Sequence, residues 1–97
     1  MSIYSLKQYY MKARYVRIST TAQSTLRQLV KAHPDEVLYV DVCSGSIPFN
    51  ERPEAKRLYS AIIEDKINVL SVSSVDRLGR NSFDVQETLN TLGKYNV

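Results

Sequence analysis

The sequence predicts an α/β protein built on a small, mainly parallel sheet flanked by helices. Two observations lead there. Short runs rich in β-formers alternate three times with stretches whose apolar residues recur at helical spacing. The second of those runs, Val37 to Val42, is almost continuously apolar or aromatic, the pattern of a strand covered on both faces by helices. Parallel strands joined in this way are expected to cross over with right-handed connections.

Residues 1–11 hold Tyr4, Tyr9 and Tyr10 without a clear period and read as an N-terminal arm or irregular lead-in, with a short helix as the alternative. Lys12 to Ser19 is the first expected strand. Successive side chains alternate faces, so Tyr15, Arg17 and Ser19 share one side, expected to be wet, and Val16 and Ile18 share a dry one. A helix is expected from about Thr21 to His33, with Ala22, Leu26, Leu29 and Val30 buried and Pro34 ending it. Ser19 or Thr20 then stands near a helix N-terminus, where unpaired backbone N–H groups favour an anion such as phosphate.

After the second strand, Cys43 to Arg52 turns to Ser, Gly, Pro and Asn and reads as an exposed loop. Pro53 suits a first helical position, and Ala55, Leu58, Tyr59, Ile62 and Ile63 fall on one helical face. Ile67 to Val72 is the third strand. Ser73 to Arg80 connects it to a last helix with Val85, Leu89 and Leu92 on its inner face and Gly93 as its C-terminal cap. Lys94 to Val97 reads as the lead-in to a fourth strand.

At 97 residues the chain is one domain. Its hydrophobic fraction of 43% and charged fraction of 24% are those of an ordinary globular protein. No apolar run reaches the ~18 residues of a membrane span, and no signal peptide pattern opens the chain, so a cytoplasmic location is expected. One cysteine, Cys43, and one histidine, His33, offer neither an internal disulfide nor a Cys/His metal cluster, so no metal is expected. The net charge of +3 suits a polyanionic partner without proving one. No glycine-rich nucleotide fingerprint is present, which leaves a flavodoxin-like nucleotide-binding domain as a weak rival and no nucleotide cofactor expected.

In open parallel sheets, ligands gather beyond the carboxyl ends of the strands. That rule collects Arg17, Ser19 and Gln23 after the first strand, Asp41, Ser44 and Arg52 at or after the second, and Asp76, Arg77 and Arg80 after the third. Arginine stays protonated, so its natural task is to hold a phosphate and the charge that grows in a transition state. Ser19 is then the candidate nucleophile. No histidine stands beside it, which disfavours a Ser-His-Asp triad.

Joined in order, Tyr15 Val16 Arg17 Ile18 Ser19 Thr20, then Gln23 and Gln28, Ser44 Gly45, Arg52 Pro53, and Asp76 Arg77 Leu78 Gly79 Arg80 resemble the catalytic domain of the serine site-specific recombinases, the resolvase and invertase family. The likeness runs from about residue 13 to 97. It implies a three-layer resolvase-like fold, with residues 12–97 as the catalytic domain, incomplete at its C-terminus because family members continue through a fourth strand and a long helix. It implies that Ser19 attacks DNA, forming a 5′-phosphoserine bond and releasing a 3′-hydroxyl. Arg17, Arg52, Arg77 and Arg80 would bind the scissile phosphate, Asp76 would assist proton transfer or orient the arginines, and Gln23, Gln28, Asp41 and Ser44 would support the site toward DNA. It further implies double-stranded DNA as partner, a homodimer and tetramer in the full-length protein, and strand exchange without any cofactor.

Plainer readings stand beside these. Ser19 and Thr20 also suit a helix N-cap. Asp76 to Arg80 also reads as a charged turn, with Arg80 and Asp84 forming a surface salt bridge. The rival function is a non-catalytic fragment that binds DNA phosphate or pairs with another recombinase subunit.

Overall fold

The structure, a computed structural model, describes residues 11–19 and 35–97. Strand β1 (Met11–Ile18), strand β2 (Glu36–Val42), helix α1 (Pro53–Ile63), strand β3 (Ile67–Ser71) and helix α2 (Ser82–Lys94) follow in that order, with 3-10 turns at Phe49–Glu51 and Val75–Leu78. The sheet has the order β2-β1-β3, and both pairings are parallel. This is the α/β architecture the alternating pattern predicts. The helix expected from Thr21 to His33 lies outside the described residues.

β1 is central because it is flanked on both edges: Arg17 pairs with Asp41 and Ile18 with Val42 on one side, and Ala13 pairs with Leu70 on the other. The carboxyl ends of β1 and β2 therefore finish together, and Cys43 N–H extends the ladder to Ile18 O at 2.9 Å. Alternation along β1 sends Ala13 and Tyr15 into the core with 0% and 1% exposure. The side shared by Tyr15 and Arg17 is thus not the wet side expected of it. It is the face that packs on α1, and Arg17 becomes accessible only because it sits at the strand's end.

α1 starts at Pro53, whose missing N–H is no loss at a first helical position. Ala55, Leu58 and Ile62 form its buried stripe, while Ile63, expected on the same face, is exposed. Each of the fully buried Leu58 and Ile62 side chains contributes about 1.5–3 kcal/mol relative to exposure. Both helices close in the same way. Lys66 N–H reaches Ala61 O and Asp65 N–H reaches Ile62 O after α1, and Val97 N–H reaches Leu92 O and Asn96 N–H reaches Gly93 O after α2. These are Schellman caps with Asp65 and Asn96 in the left-handed region at φ 60° and 62°. Gly93, expected as the cap, lies inside the last turn of α2, and Asn96 takes the left-handed position.

α2 also turns a different face inward than Val85, Leu89 and Leu92 alone predict: Thr88 and Leu92 are buried, and Leu89 is exposed. Thr88 is tolerated there because its hydroxyl donates to Asp84 O at 3.1 Å. The loop from Cys43 to Arg52, expected to be exposed throughout, folds back into the core at its second half. Phe49 is 1% exposed, with its ring edge-on to Tyr15 at 5.0 Å and to Tyr59 at 5.4 Å between centroids. Among the described residues, no helix is long and apolar enough to cross a membrane.

Candidate active site

At the carboxyl end of the sheet, a cleft of about 640 Å³ opens between β1, the Ser44–Ser46 turn and the start of α2, and Arg17, Gly45, Asp76, Arg80, Ser82 and Val85 contribute to its walls. Arg17 is fixed by its position on β1 and by one bond, Nη1 donating to Cys43 O at 2.9 Å. Its guanidinium lies flat against Gly45, where an added Cβ would stand 3.3 Å from Arg17 Cζ. A side chain at 45 would thus crowd the cation, which would have to give by a few tenths of an ångström.

Asp76 and Arg80 reach the same cleft from the segment after β3. Asp76 is exposed, and its carboxyl lies below the usual range, first because Ser74 Oγ donates to it and then because Arg77 and Arg17 stand nearby. The carboxylate is therefore ionised at neutral pH and serves better as an electrostatic partner of the arginines than as a proton donor. Gly79 lets this segment turn onto α2. A Cβ there would meet Val85 N at 2.5 Å and Asp84 C at 2.8 Å, so no larger residue fits without moving the helix start.

Arg52 occupies a different place. It is 0% exposed, with Nε donating to Ile47 O at 3.0 Å and Nη1 donating to Arg77 O at 2.6 Å and to Tyr15 Oη at 3.3 Å. Its Cζ lies 5.6 Å from the centre of the Phe49 ring, and Nη2 has no hydrogen-bond partner. This arginine, expected on the phosphate, ties the Phe49 turn to the Arg77 backbone here and keeps Nη2 without a partner among the described residues.

Asp41 is likewise interior, at 2% exposure. Its Oδ1 accepts from Glu54 N–H at 2.8 Å, and its Oδ2 accepts from Ala55 N–H at 3.0 Å and from Tyr15 O–H at 2.8 Å. With Pro53 lacking an N–H, these are the free amides of the first turn of α1, and the Asp41 carboxylate neutralises them from the neighbouring strand. Asp41, expected to support the site toward DNA, thus has both oxygens engaged within the fold. Tyr15, sealed between Asp41 and Arg52, has its phenol pushed above its ordinary range, chiefly by burial. Burial likewise pushes up the Cys43 thiol.

Ser19 is exposed directly after β1, and Ser44 is exposed in its loop, where its Oγ pairs with Ser46 Oγ at 2.8 Å. Neither lines the cleft, and Arg77, half-buried, does not line it either. Gln23 and Gln28 lie outside the described residues. The structure therefore brings Arg17, Asp76 and Arg80 to one cleft, with Ser19 exposed just past the end of β1, two residues after Arg17.

Charge pairing separates this end of the sheet from the rest. Among the described residues, Lys12 pairs with Asp35, Arg14 with Glu36, Arg57 with Glu54 and Lys66 with Glu64. Lys12, Arg14, Asp35 and Glu36 surround a smaller hollow of about 260 Å³ at the opposite end of the strands, where the charges cancel. No carboxylate comes within ion-pair distance of Arg17, Arg77 or Arg80 among the described residues. Nor do three His, Cys, Asp or Glu side chains converge there into a metal-binding group.

Sequence reasoning missed two residues of this region. Tyr15 was assigned to the wet side, although its parity with Ala13 pointed inward. Asp84 was read as a surface ion-pair partner of the Arg80 side chain, yet its Oδ2 accepts from the backbone N–H groups of Arg80 at 2.8 Å and Phe49 at 3.0 Å. The spacing Asn81-x-x-Asp84 at a helix start is the signal that finds it.

The carboxyl ends of this parallel sheet thus hold a cleft whose arginines, among the described residues, lie beyond ion-pair distance of any carboxylate. The family model of the resolvase N-terminal domain matches residues 12–97, and the chain belongs to that family. The chain is similar to the transposon Tn2501 resolvase of Escherichia coli, 33% identical over 89 residues that cover 86% of this chain and 45% of that protein. It spans a little under half the length of that relative.

Proposed function

We propose that residues 12–97 act as the catalytic domain of a serine recombinase that cuts and rejoins double-stranded DNA, with residues 1–11 as a leading arm. The observation that carries this reading is the set of arginines beyond ion-pair distance of any carboxylate among the described residues: Arg17 and Arg80 share one cleft, and Ser19 stands just past the end of β1, two residues after Arg17. Among the described residues Arg17 and Arg80 lie beyond ion-pair distance of any carboxylate, with Asp76 in the same cleft, whereas Arg14 and Arg57 are paired, and cations so placed suit an external anion.

In this reading, Ser19 Oγ attacks a backbone phosphorus. The Oγ–P bond forms, the P–O3′ bond breaks, and the serine proton is transferred to the departing 3′ oxygen. Arg17 and Arg80 stabilise the charge on the non-bridging oxygens, and losing one such preorganised donor costs roughly 2.7–4 kcal/mol of barrier. Arg77 shares that task from its neighbouring turn, and Asp76 orients the cations. The 5′-phosphoserine keeps the phosphodiester energy, so resealing needs no cofactor. Dimers and tetramers on DNA belong to the same proposal.

The test is covalent capture on a pool of random-sequence duplexes, read on a denaturing gel. The account expects a protein–DNA adduct that Ser19→Ala abolishes while binding changes less than about twofold. An adduct persisting in Ser19→Ala removes Ser19 from the mechanism. Salt-sensitive binding without any adduct selects the rival, a fragment that holds DNA phosphate or pairs with another recombinase subunit.

A further inference from the structure

The carboxylate of Asp84 is placed where ordinary helix capping does not need it. Asn81 caps α2 in the usual way, its Oδ1 accepting from Asp84 N–H at 2.8 Å. In a reciprocal capping box, the acid at the third helical position returns to the backbone N–H of the cap residue itself. Here Asp84 Oδ2 passes that position and accepts from Arg80 N–H, one residue earlier, at 2.8 Å. The same oxygen accepts from Phe49 N–H at 3.0 Å, on a segment 35 residues away in sequence.

One oxygen atom thus joins two loops. The first carries Asp76, Arg77 and Arg80, and the second runs from Gly45, under Arg17, to Arg52. Apart from this link, the bond from Arg52 Nη1 to Arg77 O ties the same two segments together. Both links involve a charged side chain, a carboxylate as acceptor in one and a guanidinium as donor in the other, and such bonds are about twice as strong as neutral ones. At Gly79 an added Cβ would meet Val85 N at 2.5 Å and Asp84 C at 2.8 Å, so glycine lets the residue before Arg80 approach the start of α2 this closely.

We infer that Asp84 is a positioning residue: it fixes the backbone of Arg80 against the Phe49 turn so that the Arg80 guanidinium stays in the cleft beside Arg17. The inference rests on reading that cleft as a phosphate site. It extends that reading by naming the group that holds the cradle in shape without touching the phosphate.

The experiment compares the wild-type chain with D84A and D84N by NMR, using inorganic phosphate as the probe and following the Nε–H signals of Arg17 and Arg80. Amide exchange at Phe49 and Arg80 is measured on the same samples, with Leu58 as an internal reference. D84N keeps an acceptor oxygen, and D84A keeps none. The expected result is a phosphate response weakened about tenfold in D84A and less than about threefold in D84N. Exchange at Phe49 and Arg80, but not Leu58, should rise at least about tenfold in D84A. Wild-type phosphate affinity in D84A, or equal loss in both variants, overturns the positioning role. If the wild-type chain shows no phosphate response, the phosphate reading of the cleft fails, and amide exchange alone decides the latch. Selective acceleration in D84A with recovery in D84N then sustains it, and unchanged or uniformly raised exchange overturns it.

Discussion

Arg52 Nη1 and Tyr15 Oη meet at 3.3 Å inside the core, and the same phenol donates to Asp41 Oδ2 at 2.8 Å. A single tyrosine thus links a buried cation to a buried anion, and through them the Phe49 turn to the start of α1. The cation and anion do not touch directly among the described ion pairs, so the hydroxyl is the only atom that serves both. Buried polar groups of this kind are costly when one partner is removed.

Tyr15→Phe is accordingly expected to lower stability by about 1–3 kcal/mol at neutral pH, measured by urea unfolding. The pH dependence changes as well. The folded phenol titrates above its unfolded value near 10, so its contribution is complete below that value and is lost as pH rises from there toward the folded one. Tyr15→Phe should flatten that alkaline decline, leaving the smaller parts due to Tyr59 and Cys43, whose phenol and thiol burial also pushes up. An alkaline decline of unchanged steepness in the variant contradicts this assignment.

Asp41→Ala removes the acceptor of two α1 amides and of the Tyr15 hydroxyl together. The expected loss is roughly 2–4 kcal/mol, more than an exposed helix cap is worth. Asp41→Asn should recover part of it. A loss below about 1 kcal/mol for Asp41→Ala, by thermal or chemical unfolding, contradicts the role of Asp41 as an interior cap.

The two glycines near α2 separate cleanly. At Gly79, a methyl group would collide with Val85 N at 2.5 Å, whereas at Gly93 nothing lies within 4 Å. Gly79→Ala should cost about 1–3 kcal/mol and loosen the Arg80 segment, and Gly93→Ala should raise stability by ~0.5–1 kcal/mol through helix propensity. Calorimetric midpoints moving in the same direction for both variants contradict the packing described for Gly79.

The fold was legible because strand and helix periods differ and each described strand carries its own. The Val37–Val42 run, Pro53 at the head of α1 and the Ala55, Leu58, Ile62 spacing each follow from local chemistry. What the sequence did not reveal is which polar residues turn inward. Arg52 and Asp41 carry full charges, and charge alone argues for the surface. Their burial depends on partners from other segments: Asp41 meets the amides of Glu54 and Ala55, and Arg52 meets Ile47 O, Arg77 O and Tyr15. Such pairings are set by tertiary structure and leave no periodic trace. The proximity of Arg17, Asp76 and Arg80 was legible, because Arg17 closes β1 and the other two lie in the segment that follows β3 at the same end of a parallel sheet. The inward face of α2 was misread because Thr88 hides its hydroxyl on Asp84 O and so behaves as an apolar residue.

In the proposed reaction Ser19 supplies the nucleophilic oxygen that bonds to the DNA phosphorus. Nuclease digestion of an isolated adduct, followed by mass mapping of the peptides, tests it most directly. The account predicts a nucleotide remnant linked through its 5′ phosphate to Ser19 and to no other side chain. A remnant carried by Thr20, Ser44 or a tyrosine, with Ser19 unmodified, would contradict it.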